Sequence, residues 1–91
     1  MSAPTDELER ARAELETAAD LADDDVRDEI SEVGAAFGAL LSGEEMADYA
    51  VFDQHLNRLR QIREGAGSEP TPHLDTALEH AETYREGIEQ A

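Results

Sequence analysis

The chain has 91 residues, with 23 Asp and Glu against seven Arg, no Lys and a formal net charge of −16. This length allows one small domain. The absence of cysteine excludes disulfides and thiolate metal sites, and no uncharged run approaches the roughly 20 residues of a transmembrane helix. No secretion signal is recognisable. The sequence therefore predicts a cytoplasmic protein that binds neither a membrane nor, because of its charge, nucleic acid directly.

The acidic, lysine-free composition predicts adaptation to concentrated salt. At about 1 M salt the screening length is near 3 Å, so repulsion between surface carboxylates is weak. In dilute buffer the same charge would destabilise a compact fold. Disorder is the alternative for a highly charged chain, but the regular apolar stripes described next favour a folded one.

The first predicted helix covers residues 6–22 and follows a loose N-terminal end, residues 1–4. Thr5 or Asp6 can cap its N-terminus. Its apolar stripe has helical spacing but little bulk, so this helix depends on its neighbours. The stripe consists of Leu8, Ala11, Leu15, Ala18 and Ala22.

The second predicted helix, residues 25–42, contains most of the longest uncharged run in the chain, residues 33–43. Asp24 or Asp25 is the predicted N-cap, and Gly43 is the predicted left-handed residue after the C-terminus. The apolar positions share one helical face. They are Val26, Ile30, Val33, Phe37, Leu40 and Leu41.

Two glycines inside this helix are unexpected, because each costs about 1 kcal/mol relative to Ala at an interior position. Their Gly-x-x-x-Gly spacing, with alanines beside them, lets another backbone approach closely. We predict close helix packing inside the bundle, with a homodimer contact as the alternative. The residues predicted to form this interaction surface are Gly34, Phe37, Gly38 and Leu41.

The third predicted helix covers residues 44–64. Ser42 and Glu45 have the spacing of a capping box, which places the start at Glu44; a start one turn later, with Asp48 as the cap, is the alternative. Its stripe consists of Tyr49, Phe52, His55, Leu56, Leu59 and Ile62. Three arginines near its end suit the helix dipole and nearby acids, and a phosphate-binding patch is the alternative. They are Arg58, Arg60 and Arg63.

The fourth predicted helix covers residues 72–90, with Thr71 as its cap and Pro72 at its first position. Its stripe matches that of the third helix in an antiparallel register, with Phe52 opposite Tyr84. The first two helices match in the same way. Four helices with short connections predict an all-α, antiparallel, up-and-down four-helix bundle in a single domain.

The sequence contains no nucleophile with an adjacent base, no phosphate-binding glycine loop and no HExxH motif. No catalytic residue or cofactor is therefore predicted. His55 and His80 could approach across the third and fourth helices and, with Glu79 or Glu82, bind a metal ion. The simpler interpretation is that both histidines lie at the polar edge of the core.

Several segments together are similar to a family of small, acidic, uncharacterised haloarchaeal proteins. The matching segments are residues 8–19, 26–43 and 52–65, together with the pairs Leu74-Asp75 and Tyr84-Arg85. The resemblance implies a haloarchaeal cytoplasmic protein, and it implies no catalytic residue.

The function predicted from these observations is a non-enzymatic protein-interaction or scaffolding module, with another protein or a second copy as partner. One alternative is a regulatory protein that binds a basic partner, or mimics nucleic acid, through its acidic surface. The other is a weak metal or small-ligand binder that uses His55 and His80.

Overall fold

The computed structural model describes residues 5–45 and 48–90. Within these residues the chain forms four helices and no strand. The helices are α1 (Thr5–Leu21), α2 (Asp24–Ser42), α3 (Tyr49–Glu64) and α4 (Thr71–Gln90). The expectation of a loose end at residues 1–4 lies outside the described residues.

The helices form a bundle in which each helix is antiparallel to its two neighbours. Helix α1 lies between α2 and α4 and packs extensively against both, whereas α3 closes the ring with smaller contacts, the smallest against α2. Two contacts fix the direction of α4 against α1: Glu14 meets His73, and Glu7 meets His80. The predicted all-α bundle is confirmed, and it measures 38 × 21 × 20 Å.

The core changes character along the bundle axis. At one end Phe37 of α2 stacks on Phe52 of α3, with ring centroids 5.3 Å apart, and Phe52 also meets Tyr84 of α4 at 5.2 Å. The predicted pairing of Phe52 with Tyr84 is therefore confirmed. Elsewhere α1 and α4 contribute alanines without exposed surface, which allows their close packing: Ala11, Ala18, Ala77 and Ala81.

The short connection between α1 and α2 uses an arginine to close the first helix. Helix α1 has no basic residue in its last turn, but Arg27 of α2 donates to the carbonyl oxygens of Ala19 and Ala22 at 3.0 and 3.3 Å. Ala19 lies in the last turn of α1 and Ala22 just after it; the Ala19 carbonyl also accepts the backbone N–H of Ala22 at 3.2 Å, so Arg27 adds donors where the helical ladder ends. The N-cap of α2 is Asp23, whose side chain makes no capping hydrogen bond. The prediction of Asp24 or Asp25 as cap is therefore wrong.

Helix α3 begins later than the capping-box prediction of residue 44. Asp48 is the N-cap, and its carboxylate accepts from the backbone N–H groups of Ala50 and Val51 at 2.9 and 3.2 Å. Ser42 belongs to α2, where its hydroxyl donates to the Ala39 carbonyl oxygen. The start at Glu44 is wrong, and the alternative start after Asp48 is confirmed.

The other two predicted helix ends are close to those observed. Gly43 has the expected left-handed conformation, with φ 82°, and its N–H donates to the Leu40 carbonyl oxygen. Helix α4 begins one residue earlier than predicted, because the Pro70 carbonyl already accepts the N–H of Leu74. The Thr71 hydroxyl donates to the Gly67 carbonyl oxygen and does not cap the helix.

Ion pairs between helices concentrate around α3. Its three C-terminal arginines pair with acids of both neighbours, as the dipole-and-acid interpretation predicted. In a fourth pair, between α3 and α4, the arginine belongs to α4 and the acid to α3. The pairs are Arg58–Glu32, Arg60–Glu82 at 3.1 Å, Arg63–Asp75 at 3.0 Å and Arg85–Asp53 at 3.1 Å. Most of these side chains are well exposed, so each pair contributes only about 0–1 kcal/mol to stability.

Candidate functional site

A groove runs along the outer face of the α1/α2 hairpin. Its larger part has a volume of about 510 Å³ and a floor formed by Leu15 and Ile30, which are almost completely buried. A smaller part of about 150 Å³ lies beside Leu41. Arg12 and Glu16 line both parts and therefore lie at their junction.

The two glycines of α2 lie at this groove and not at a helix–helix contact. A Cβ atom added to Gly34 would meet no atom within 4 Å. A Cβ added to Gly38 would meet only the Arg12 side chain, at 3.4 to 3.6 Å. The prediction that the glycines allow close backbone packing inside the bundle is therefore wrong, because no neighbouring backbone approaches them.

Arg12 differs from the other arginines of the chain. Among the described residues it has no carboxylate within ion-pair distance, whereas each of the other six arginines has one. Glu9 and Glu16 lie on the same helix, three and four residues away, at spacings that allow pairing. Its guanidinium lies against Gly38 instead. The missing Cβ of Gly38 leaves the space in which this exposed cation lies.

The four residues predicted as an interaction surface divide into two groups. Gly34 lines the larger part of the groove and Leu41 the smaller part, while Gly38 lies against Arg12 between them. Phe37 has no exposed surface and belongs to the aromatic core. It cannot contact a partner, so the predicted surface is wrong at this residue.

His55 and His80, the candidates for the alternative metal site, have separate surroundings. Nδ1 of His80 lies 2.6 Å from a carboxylate oxygen of Glu7, on α1. His55 lies edge-on to Phe37 and Phe52, with ring centroids 6.3 and 6.4 Å apart. No group of three metal-ligating side chains occurs in residues 5–45 and 48–88. The structure therefore does not bring His55 and His80 together with Glu79 or Glu82.

Burial affects the protonation of His55. Loss of hydration lowers the pKa of His55 below its ordinary value of 6.5. The nearby Arg58 lowers it further and Glu45 opposes the shift. The neutral imidazole is therefore favoured where the ring packs on the two phenylalanines.

Two interhelical histidine contacts were not predicted from the sequence. His73 Nδ1 lies 2.8 Å from a carboxylate oxygen of Glu14, in the same α1/α4 seam as the His80–Glu7 contact. Both histidines and both glutamates are seven residues apart, which is two helical turns. This equal spacing is the signal that could have shown the α1/α4 pairing.

A model of a family of unknown function, DUF7553, matches residues 3–87. The chain belongs to this family. The DUF7553 match includes the whole α1/α2 hairpin with its groove, α3 and most of α4. No curated protein and no solved structure matches the chain. Among the described residues of this DUF7553 protein, no helix is both long and apolar enough to cross a membrane.

Proposed function

We propose that this protein is a non-enzymatic protein-interaction module whose docking surface is the α1/α2 groove. The observation that supports the proposal is the open space at Gly34. Glycine costs about 1 kcal/mol relative to alanine inside a helix, and the fold gains nothing in return, because an added Cβ would meet no other atom. A partner helix that packs directly against this face would account for the missing side chain.

The groove has the properties of a helix-docking surface. Its α2 wall is thin at Gly34 and Ala35, its floor is closed by buried side chains, and its rim carries charges of both signs. Helix-in-groove recognition places a partner helix in such a trough. Arg12 adds a guanidinium, which is well suited to bind a carboxylate of the partner.

The environment of the protein is a further part of the proposal. We infer that it works in the cytoplasm of a salt-accumulating haloarchaeon. Support comes from a net charge of −16 and from seven Arg with no Lys. Screening at molar salt would leave apolar docking possible between surfaces that repel each other in dilute buffer.

A photo-crosslinking amino acid at position 34 tests the docking surface. The experiment uses a molar-salt extract of the cells that make the protein and identifies the adducts by mass spectrometry. The matched control carries the same group at Gln61, an exposed position on α3, which does not contact α1. We expect a defined protein adduct at position 34 and none at position 61. Absence of an adduct at position 34, or the same adducts at both positions, would overturn the proposal.

A further inference from the structure

The charges that line the groove are nearly balanced, although the chain as a whole is strongly acidic. The lining contains two arginines and three acids, which leaves a charge of −1 on a chain of −16. These residues are Arg12, Arg27, Glu9, Glu16 and Asp20. Two copies of the chain would repel each other only weakly across a face of this kind.

The same face is self-complementary under a two-fold axis. In such an interface, if residue i contacts residue j of the partner, then j also contacts i. Arg12 has no ion-pair partner within its own copy among the described residues, and the carboxylate of Glu16 lines the same groove on the same helix. Two copies placed face to face would give each Arg12 a carboxylate of the other copy.

The thin wall of α2 suits this arrangement. Small residues at four-residue spacing let two helices approach closely, and both Gly34 and Gly38 lie at the groove. Two copies of α2 could cross there without displacing a core side chain. The whole molecule measures only 38 × 21 × 20 Å, so one side of it is comparable in size to the roughly 800 Å² that each partner of a standard interface buries. The affinity of the dimer should therefore be modest, and its population should depend on protein concentration.

We propose that the occupant of the groove is a second copy of this chain, in a two-fold dimer in which Arg12 of each copy pairs with Glu16 of the other. This inference rests on the proposed docking function and names its partner. Because each copy is strongly negative, association should strengthen as salt rises. A basic partner held by charge would respond in the opposite way.

Light scattering over a concentration series in about 1 M KCl tests the dimer. We expect Arg12→Glu to weaken association about tenfold, because both Arg12–Glu16 pairs would be lost and two carboxylates would be in direct contact inside the interface, where salt screens least. The double variant Arg12→Glu/Glu16→Arg exchanges the charges and should restore association to within about threefold. Arg10→Glu, an exposed change outside the groove lining, is the matched control and should not alter association. Circular dichroism confirms that each variant is folded.

A further variant tests the dimer independently of charge. Gly34→Leu places a side chain in open space in the monomer, so the fold should survive while the dimer is lost. A wild-type monomer at every concentration would overturn the dimer, as would a dimer that neither Arg12→Glu nor Gly34→Leu weakens. Failure of the charge exchange to restore association would overturn the Arg12–Glu16 contact. A monomer that still forms an adduct with a different protein at position 34 would leave the proposed docking function standing.

Discussion

At the scale of single residues, the glycines in α2 and at its C-cap have different roles, because the backbone requires one of them and another is open to a partner. Gly43 is required by the backbone, because its φ of 82° lies in the left-handed region that side chains disfavour. Gly34 is helical, and an added Cβ would meet nothing. The two positions should therefore respond in opposite ways to the same substitution.

We expect Gly34→Ala to raise the free energy of unfolding of the monomer by up to about 1 kcal/mol, through the higher helix propensity of alanine. Gly43→Ala should lower it by about 1–2 kcal/mol, because alanine is strained at positive φ. Chemical denaturation in molar KCl, at concentrations that keep the protein monomeric, measures both. Destabilisation by Gly34→Ala would show that the fold itself requires this glycine.

His55 gives a second residue-scale prediction, in which stability depends on pH. Because burial lowers the pKa of His55 in the folded state, the unfolded chain takes up a proton first as the pH falls below about 6.5. The stability present above that pH should decline until the folded-state pKa is passed. His55→Gln should remove this part of the decline. Denaturation of both proteins between about pH 5 and 7.5 measures the difference, and identical pH profiles would contradict it.

At the scale of helices, Arg27 connects the end of α1 to the first turn of α2. Its hydrogen bonds to the carbonyls of Ala19, in α1, and Ala22, just after it, place a cation beside three consecutive aspartates, which are unfavourable at a helix C-terminus. We expect Arg27→Ala to cost about 1 kcal/mol, allowing for partial exposure, and to speed amide exchange in the last turn of α1. Arg10→Ala removes only an exposed pair with Glu7 and is the control. Equal effects of the two variants would contradict the capping role.

The helices, and the antiparallel pairing of α1 with α2 and of α3 with α4, were largely predictable because apolar spacing reports which face is buried. The start of α3 was not predictable, because the sequence offers two caps. One is the capping box of Ser42 and Glu45, the other is Asp48, and only packing selects between them. Apolar spacing also could not predict whether the α2 glycines contact another helix. Gly34 and Gly38 each follow a buried residue, Val33 or Phe37, by about 100° around the helix. Spacing places them at the edge of the stripe without showing whether another helix covers that edge.

At the scale of the whole molecule, α1 packs between two helices that carry the same sign of net charge as α1 itself. Six acids and two arginines give α1 a charge of −4, and five acids and one arginine give the same value for α2 and for α4. Helix α3, with three arginines and two acids, is +1. The seams of α3 therefore attract, and those of α1 repel unless salt screens them.

We expect helicity and melting temperature to rise steeply with KCl, as the screening length falls from about 10 Å at 0.1 M to 3 Å at 1 M. Helix α1 should loosen first as salt is removed, although its apolar stripe is well buried, because both of its neighbours carry its own sign of charge. Circular dichroism and amide exchange across a salt series measure this. Equal stability at about 0.05 and 2 M KCl would contradict adaptation to salt.

The most direct test of the account is to map which face of the molecule docks. Nuclear magnetic resonance spectra of labelled protein, recorded in about 1 M KCl at increasing concentration, report contacts without any substitution. We predict concentration-dependent shifts at the groove residues Ala13, Ser31 and Ala35. Leu21 and Val51, which are exposed apolar residues outside the groove lining, should not shift. Shifts centred on Leu21 or Val51, or no shifts at any concentration, would contradict docking of a second copy at the α1/α2 face.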